Sequence, residues 1–214
     1  VYLTPPEGSP LARTAAAWLG RSAFDGALRT ATAPAAANVS VPARYGFHAT
    51  LKAPFRLRAG RTEADLLRAF DAYAAALQPL AVRLAVSRLS RFVALTAVDH
   101  GRVSAACDAA VSAFEPFRAP LTTDDRAKRQ PDRLAPRERE LLDAWGYPYV
   151  FDRFLFHMTL TGPLEEDAIA GVEAAVRSVF SPFLAEPQPL LHALFRETEG
   201  GFTILALEPV GAAT

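Results

Sequence analysis

Apolar and polar residues along this chain alternate with a two-residue period in some stretches and a helical period in others, which predicts a mixed α and β fold. Val1 to Thr4 reads as a short strand. Ser9-Pro10 then offers a cap and a first-turn proline, Leu11, Ala15, Trp18 and Leu19 form an apolar stripe, and Gly20 is a stop. Residues 30–43, rich in Ala, Pro, Thr and Ser, read as a surface loop. Tyr45 to Leu57 reads as a strand, followed by a helix carrying Leu66, Leu67, Phe70, Tyr73, Ala74 and Leu77, with Thr62 and Asp65 resembling a capping box.

Two strands come next, Leu80 to Val86 and Phe92 to Val98, then a helix with Val103, Cys107, Ala110, Val111 and Phe114 on one face. Residues 115–145 are charged and interrupted by proline, which predicts a surface excursion, with a helix from Pro136 to Trp145 that Gly146 ends. Val150 to Thr161 reads as a strand, and Ile169, Val172, Val176 and Val179 form a helical stripe. Leu190 to Glu197 and Phe202 to Leu207 read as a hairpin turning at Gly200-Gly201. The order strand, helix, strand, strand thus occurs twice, over residues 45–98 and 150–207.

At the head of each copy the repetition becomes a sequence match. Phe47-His48-Ala49-Thr50-Leu51-Lys52-Ala53-Pro54 and Phe156-His157-Met158-Thr159-Leu160-Thr161-Gly162-Pro163 share the pattern F-H-x-T-L-x-x-P, and Arg44 and Arg153 stand four residues before the histidines. The chain has only four histidines, and two of them occupy equivalent places. Residues two apart on a strand share a face. His48, Thr50 and Lys52 are therefore expected on one face, as are His157, Thr159 and Thr161, with the intervening apolar residues packed the other way. If a pseudo-twofold axis relates the copies, the two pairs meet across one cleft.

Such a pair suits in-line attack on phosphorus. Attacking water must lose a proton and the leaving oxygen must gain one, and two imidazoles near their reference pKa of about 6.5 can do both. Threonine hydroxyls can donate to the non-bridging oxygens, and Lys52, Arg44 or Arg153 can add positive charge there. No metal or cofactor is required. A lone H-x-T is an ordinary strand fragment; duplication in matched context is what favours chemistry over a structural role.

The two H-x-T-L motifs resemble the two-histidine phosphoesterase superfamily, whose hallmark is a pair of H-x-[ST]-x motifs. The resemblance covers nearly the whole chain, with spacing widened by the excursion. It implies one α+β domain of two duplicated lobes, built on 45–98 and 150–207, with two antiparallel sheets facing a central cleft and helices outside. It also implies His48 and His157 as acid and base, and Thr50 and Thr159 as phosphate binders. The phrases Trp18-Leu19-Gly20-Arg21, Arg44 through Pro54, and Trp145 through Tyr149 with the second motif are similar to a bacterial branch associated with carbon–phosphorus bond metabolism. That similarity implies a link to phosphonate catabolism.

Composition narrows the partners. Lys plus Arg, at 23, equals Asp plus Glu, so the formal net charge is zero. That argues against bulk duplex nucleic acid, though not against an RNA end. The single cysteine, Cys107, excludes an internal disulfide and a cysteine-pair zinc site and falls on an apolar stripe. No apolar run approaches a membrane span, so a cytoplasmic monomer is expected, with a few native residues upstream of Val1. Tyr45, Tyr147 and Tyr149 flank the motifs and can stack on a base or sugar, or simply pack. Arg126, Lys128, Arg129 and Arg133 form either a phosphate-gathering lid or a solvated loop, since Asp124, Asp125 and Asp132 interleave with them. His100 and His192 read as structural or exposed, and no P-loop motif occurs. The expected reaction is metal-independent opening of a cyclic phosphodiester on a small ribose or nucleotide phosphate. The alternatives are an RNA-end phosphodiesterase or ligase, and a protein that binds a phosphorylated ligand without turnover.

Overall fold

Local chemistry sets most helix ends in the computed structural model, which describes residues 1–209. The elements run β1 (Tyr2–Thr4), α1 (Pro10–Leu19), α2 (Ser40–Tyr45), β2 (Ala49–Thr50), α3 (Glu63–Ala75), β3 (Leu80–Val82), β4 (Leu84–Leu89), β5 (Phe92–Ala97), α4 (Gly101–Phe114), α5 (Thr123–Lys128), α6 (Pro136–Trp145), β6 (His157–Thr159), α7 (Glu166–Phe180), β7 (Gln188–Thr198) and β8 (Gly201–Leu207). Helix α1 begins where expected, the Ser9 hydroxyl accepting from the Ala12 N–H at 3.2 Å, and ends at Gly20 with φ of 73°. Helix α3 carries a full capping box: the Asp65 N–H donates to the Thr62 hydroxyl at 3.1 Å and the Thr62 N–H to the Asp65 carboxylate at 2.8 Å.

The fold is α+β, with an antiparallel sheet curled into a half-barrel. Strand order is β3-β7-β1-β2-β6-β5-β4, and β8 pairs with β7. Two sheets facing a cleft were the expectation; the structure has one, because β2 pairs directly with β6 through Ala49 opposite Met158. The motif strands are two and three residues long. So short a strand makes too few ladder bonds to found a sheet of its own. The hairpins also cross over. Strand β5 of the first hairpin pairs with β6, the second motif strand, while β7 of the last hairpin reaches β2 through β1.

The register lines up Leu3, Ala49, Met158 and Leu95 in one row across four strands, and all four are fully buried. With Phe70 of α3, Val111 and Phe114 of α4, and Val172, Val176 and Phe180 of α7 they form the core on one face of the sheet. Trp18 of α1 joins it and donates its indole N–H to the Leu160 carbonyl at 2.8 Å. The opposite face is left for the alternate residues. The loop expected over 30–43 is partly helical, holding a 3-10 turn at Ala35–Ala37 and the start of α2. Among the described residues no helix is long and apolar enough to cross a membrane.

Candidate functional site

The same register that buries Ala49 and Met158 puts their neighbours on the open face. With Ala49 opposite Met158, His48 lies across from Thr159, and Thr50 across from His157. Directly opposed residues on an antiparallel pair sit about 4.5–5.5 Å apart at Cβ. The two motifs therefore form one four-residue square, each imidazole facing the other motif's threonine. Thr50 and Thr159 line a cavity of about 360 Å³ together with His48, Tyr45, Phe92 and Tyr147. His157 is not itself a lining residue; its ring stands 6.1 Å from that of Phe92, which is. Pro54 and Pro163, the closing residues of the repeated pattern, both line the cavity as well.

Both histidines are held in the same way. Nδ1 of His48 lies 2.9 Å from the carbonyl of Gly46, and Nδ1 of His157 lies 2.8 Å from the carbonyl of Leu155. A carbonyl only accepts, so each Nδ1 carries the proton and donates it. Each Nε2 is then left for chemistry, unprotonated when the ring is neutral and a donor when it is charged. The His48 ring is half-buried, with Tyr2 edge-on at 4.9 Å and Tyr45 at 5.8 Å. Burial pushes its pKa down to about 4, partly offset by the bond to Gly46; the nearby His157 pushes in the same direction as burial.

Several expected neighbours are placed elsewhere. Strand β2 stops at Thr50, because the N–H groups of Leu51 and Lys52 both turn to the Val1 carbonyl, at 3.0 and 2.9 Å. The alternation ends there, and Lys52 points away from the square. It is buried, paired with Glu115 at 2.7 Å, and donates to the Val111 carbonyl at 3.2 Å. Thr161 lines the cavity, but its hydroxyl is engaged, accepting from the Val93 N–H at 2.9 Å and donating to the Gly162 carbonyl at 2.9 Å. Arg44 belongs to α2 rather than to a strand and pairs with Glu197 at 2.6 Å. Arg153 sits exposed in a 3-10 turn beside Asp152. Tyr149 is exposed and abuts Tyr147, so that Tyr147 and not Tyr149 faces the cavity. His192 lies on the buried face of the sheet, paired with Glu208 at 3.0 Å.

In place of the two expected arginines the cavity has Arg129, whose guanidinium lies 4.9 Å over the Tyr147 ring. Tyr2 was not anticipated either. Its opposition to Thr50 puts it on the site face, buried against His48, with a hydroxyl that has no partner among the described residues. The sequence signal was its two-residue alternation with Leu3, legible only once β1 is known to lie beside β2. Among the described residues no three His, Cys, Asp or Glu side chains come together to hold a metal ion.

The chain matches over residues 50–203 the model of a family described as a protein of unknown function, DUF1045, and it belongs to that family. It is also similar to two bacterial proteins named ribose 1,5-bisphosphate phosphokinase PhnN. One, from Janthinobacterium sp. (strain Marseille), is 35% identical over 91% of this chain and 46% of its own length. The other, from Laribacter hongkongensis (strain HLHK9), is 37% identical over 94% of this chain and 48% of its own length. The chain thus spans about half the length of the curated relatives it matches. No solved structure matches it significantly.

Proposed function

We propose that this chain is a metal-independent phosphodiesterase that opens a cyclic phosphodiester on a small ribose phosphate, as the two-histidine phosphoesterases it resembles do. The observation that carries the reading is the square of His48, Thr50, His157 and Thr159, with both imidazoles tethered through Nδ1 to the carbonyl two residues before them. A merely structural histidine has no need of a duplicated partner held in the same tautomer on the next strand.

The two imidazoles are tethered alike, and burial of His48 divides the work between them. His48, kept neutral by burial, is the base: its Nε2 takes a proton from water as the water oxygen bonds to phosphorus. His157 is the acid and gives its Nε2 proton to the ester oxygen as the phosphorus–oxygen bond breaks. The hydroxyls of Thr50 and Thr159 donate to the non-bridging oxygens, on which charge builds. A phosphomonoester with a free hydroxyl leaves, and a proton exchange with solvent resets the pair.

The relatives' name places them on ribose 1,5-bisphosphate, which supports a ribose phosphate as the substrate class. Their named phosphokinase activity is not carried over. This chain has no G-x-x-x-x-G-K-[ST] phosphate loop and corresponds to about half of their length. The named activity belongs to proteins about twice the length of this chain, and the diesterase is proposed for this chain alone. The similarity of Trp18 through Arg21, Arg44 through Pro54, Trp145 through Tyr149 and Phe156 through Leu164 to a branch linked with carbon–phosphorus metabolism fits a role in phosphonate catabolism.

The test is a panel of cyclic phosphates, nucleoside 2′,3′-cyclic and ribose 1,2-cyclic, followed by phosphorus NMR. Turnover is expected, unchanged by chelator, and His48→Ala or His157→Ala is expected to lower kcat by about 10²–10⁴-fold. Retained ligand affinity with no turnover by the native protein would make it a binder. Loss of activity with chelator would overturn the mechanism.

A further inference from the structure

A second cavity, about 400 Å³, adjoins the first and shares Ala53, Pro54, Arg129 and Tyr147 with it. Its wall is rich in cations, and their pairing is uneven. Every carboxylate at this cavity is already engaged. Asp125 is paired with Arg56, Glu197 with Arg44 at 2.6 Å, and Glu115, just behind the wall, with both Lys52 at 2.7 Å and Arg118 at 2.6 Å. Lys128 and Arg129 are left with no carboxylate partner among the described residues. They are adjacent in sequence, at the end of α5, in the excursion between the two motifs.

A favourable end-of-helix position accounts for two exposed cations in general. It does not account for where Arg129 stands. The Arg129 guanidinium, though exposed, lies over the Tyr147 ring at 4.9 Å, at the junction of the two cavities. Stacking on an aromatic face leaves the guanidinium edge, with its forked N–H donors, free for an anion. Arg129 lines both cavities and Lys128 lines the second, so one unpaired cation stands at the junction and its neighbour stands in the adjoining cavity.

Resting on the phosphodiesterase reading above, we propose that Lys128 and Arg129 form a second anion subsite, and that the substrate carries a terminal phosphomonoester besides its cyclic diester. The square acts on the diester, and the adjoining cavity takes the monoester. The charge arithmetic favours a dianion there, since two cations lack partners. The same pair selects against unphosphorylated cyclic nucleosides, which would leave both cations unmatched.

The test compares cyclic substrates that differ only in the terminal group: ribose 1,2-cyclic phosphate and a nucleoside 2′,3′-cyclic phosphate, each with and without a 5-phosphate. The native protein is expected to prefer the phosphorylated member of each pair by at least about tenfold in kcat/KM, mainly through KM. In Lys128→Met/Arg129→Met the ratio should fall toward one. Binding of ribose 5-phosphate alone is measured in parallel by calorimetry, in the native protein, in His48→Ala/His157→Ala and in the Lys128→Met/Arg129→Met variant. It should survive the histidine changes and be lost with the cations. Turnover without preference for the 5-phosphate, or a preference the double variant keeps, would overturn the subsite and leave the diesterase standing. Absence of turnover, with ribose 5-phosphate still bound through Lys128 and Arg129, would remove the diesterase and leave the subsite. No turnover and no such binding removes both.

Discussion

A single carbonyl decides what each histidine can do. Gly46 and Leu155 fix the Nδ1 proton, and so fix Nε2 as the reacting atom. For His48 burial adds a second constraint, lowering its pKa from about 6.5 toward about 4. As the base it must be unprotonated, so the acid limb of kcat/KM should lie near pH 4, well below the value of a free imidazole. The limb should vanish in His48→Ala. A limb that stays near 6.5 would mean that the ring is solvated and that the base has been misassigned. Stability follows the same sign. Between about pH 6.5 and 4 the unfolded chain takes up a proton that the folded one refuses, so His48's contribution is fully present above 6.5 and is lost as the pH falls through that window. The threonines are legible from the same motif as the histidines, since H-x-T on a strand puts both side chains on one face. Lys52 falls outside the square because alternation holds only as far as the strand does, and the strand's end is set by Val1, some fifty residues away in sequence.

At the scale of elements, the long helices are legible and the motif strands are not, while the short helices α2 and α5 fall where a loop and an excursion are expected. The signals that start and stop α1, α3 and α6 lie within each segment: Ser9 and Gly20, Thr62 with Asp65, Pro136 and Gly146. The motif strands, expected to span 45–57 and 150–161, are cut to Ala49–Thr50 and His157–Thr159 by partners distant in sequence. At the second strand's exit the Gly162 N–H donates to the Asn38 carbonyl at 2.9 Å, a contact no local pattern announces. The entry to the first strand has a local cause. Gly46 has φ of 71° and ψ of −177°, a conformation open essentially to glycine alone. A Cβ there would also come within 2.8 Å of the Ala23 Cβ. Gly46→Ala should therefore cost about 1–3 kcal/mol in urea unfolding and lower kcat, since the displaced carbonyl is the one that holds His48. Gly171→Ala, at an open position within α7, is the control and should stabilise by about 0.5–1 kcal/mol with activity intact. Equal behaviour of the two variants would show that the turn does not position the imidazole.

For the molecule as a whole, the sequence repeat suggested two lobes, whereas the chain closes them into one sheet by crossing its hairpins. Each motif strand depends on the half of the chain to which it does not belong: β6 pairs with β5, and β2 reaches β7 through β1. Trp18, near the start, is tied to Leu160 beside the second motif. The repeat was visible because like residues recur at like places; the crossing was not, because strand pairing is non-local and period-two patterns say nothing about partners. The consequence is mechanical. With no lobe holding a complete set of neighbours, neither can open while the other stays folded, and the histidine square exists only in the fully assembled sheet. Equilibrium unfolding in urea should therefore be one transition, coincident by far-ultraviolet circular dichroism, by fluorescence of Trp18 and Trp145, and by loss of turnover. In Trp145→Phe, fluorescence reports Trp18 alone and should keep the same midpoint as activity. In Trp18→Phe, fluorescence reports Trp145 at the end of α6, beside the second cavity, and should follow that same transition. A separate earlier step seen only through Trp145 would mean that the excursion folds on its own, outside the unit that holds the two histidines together.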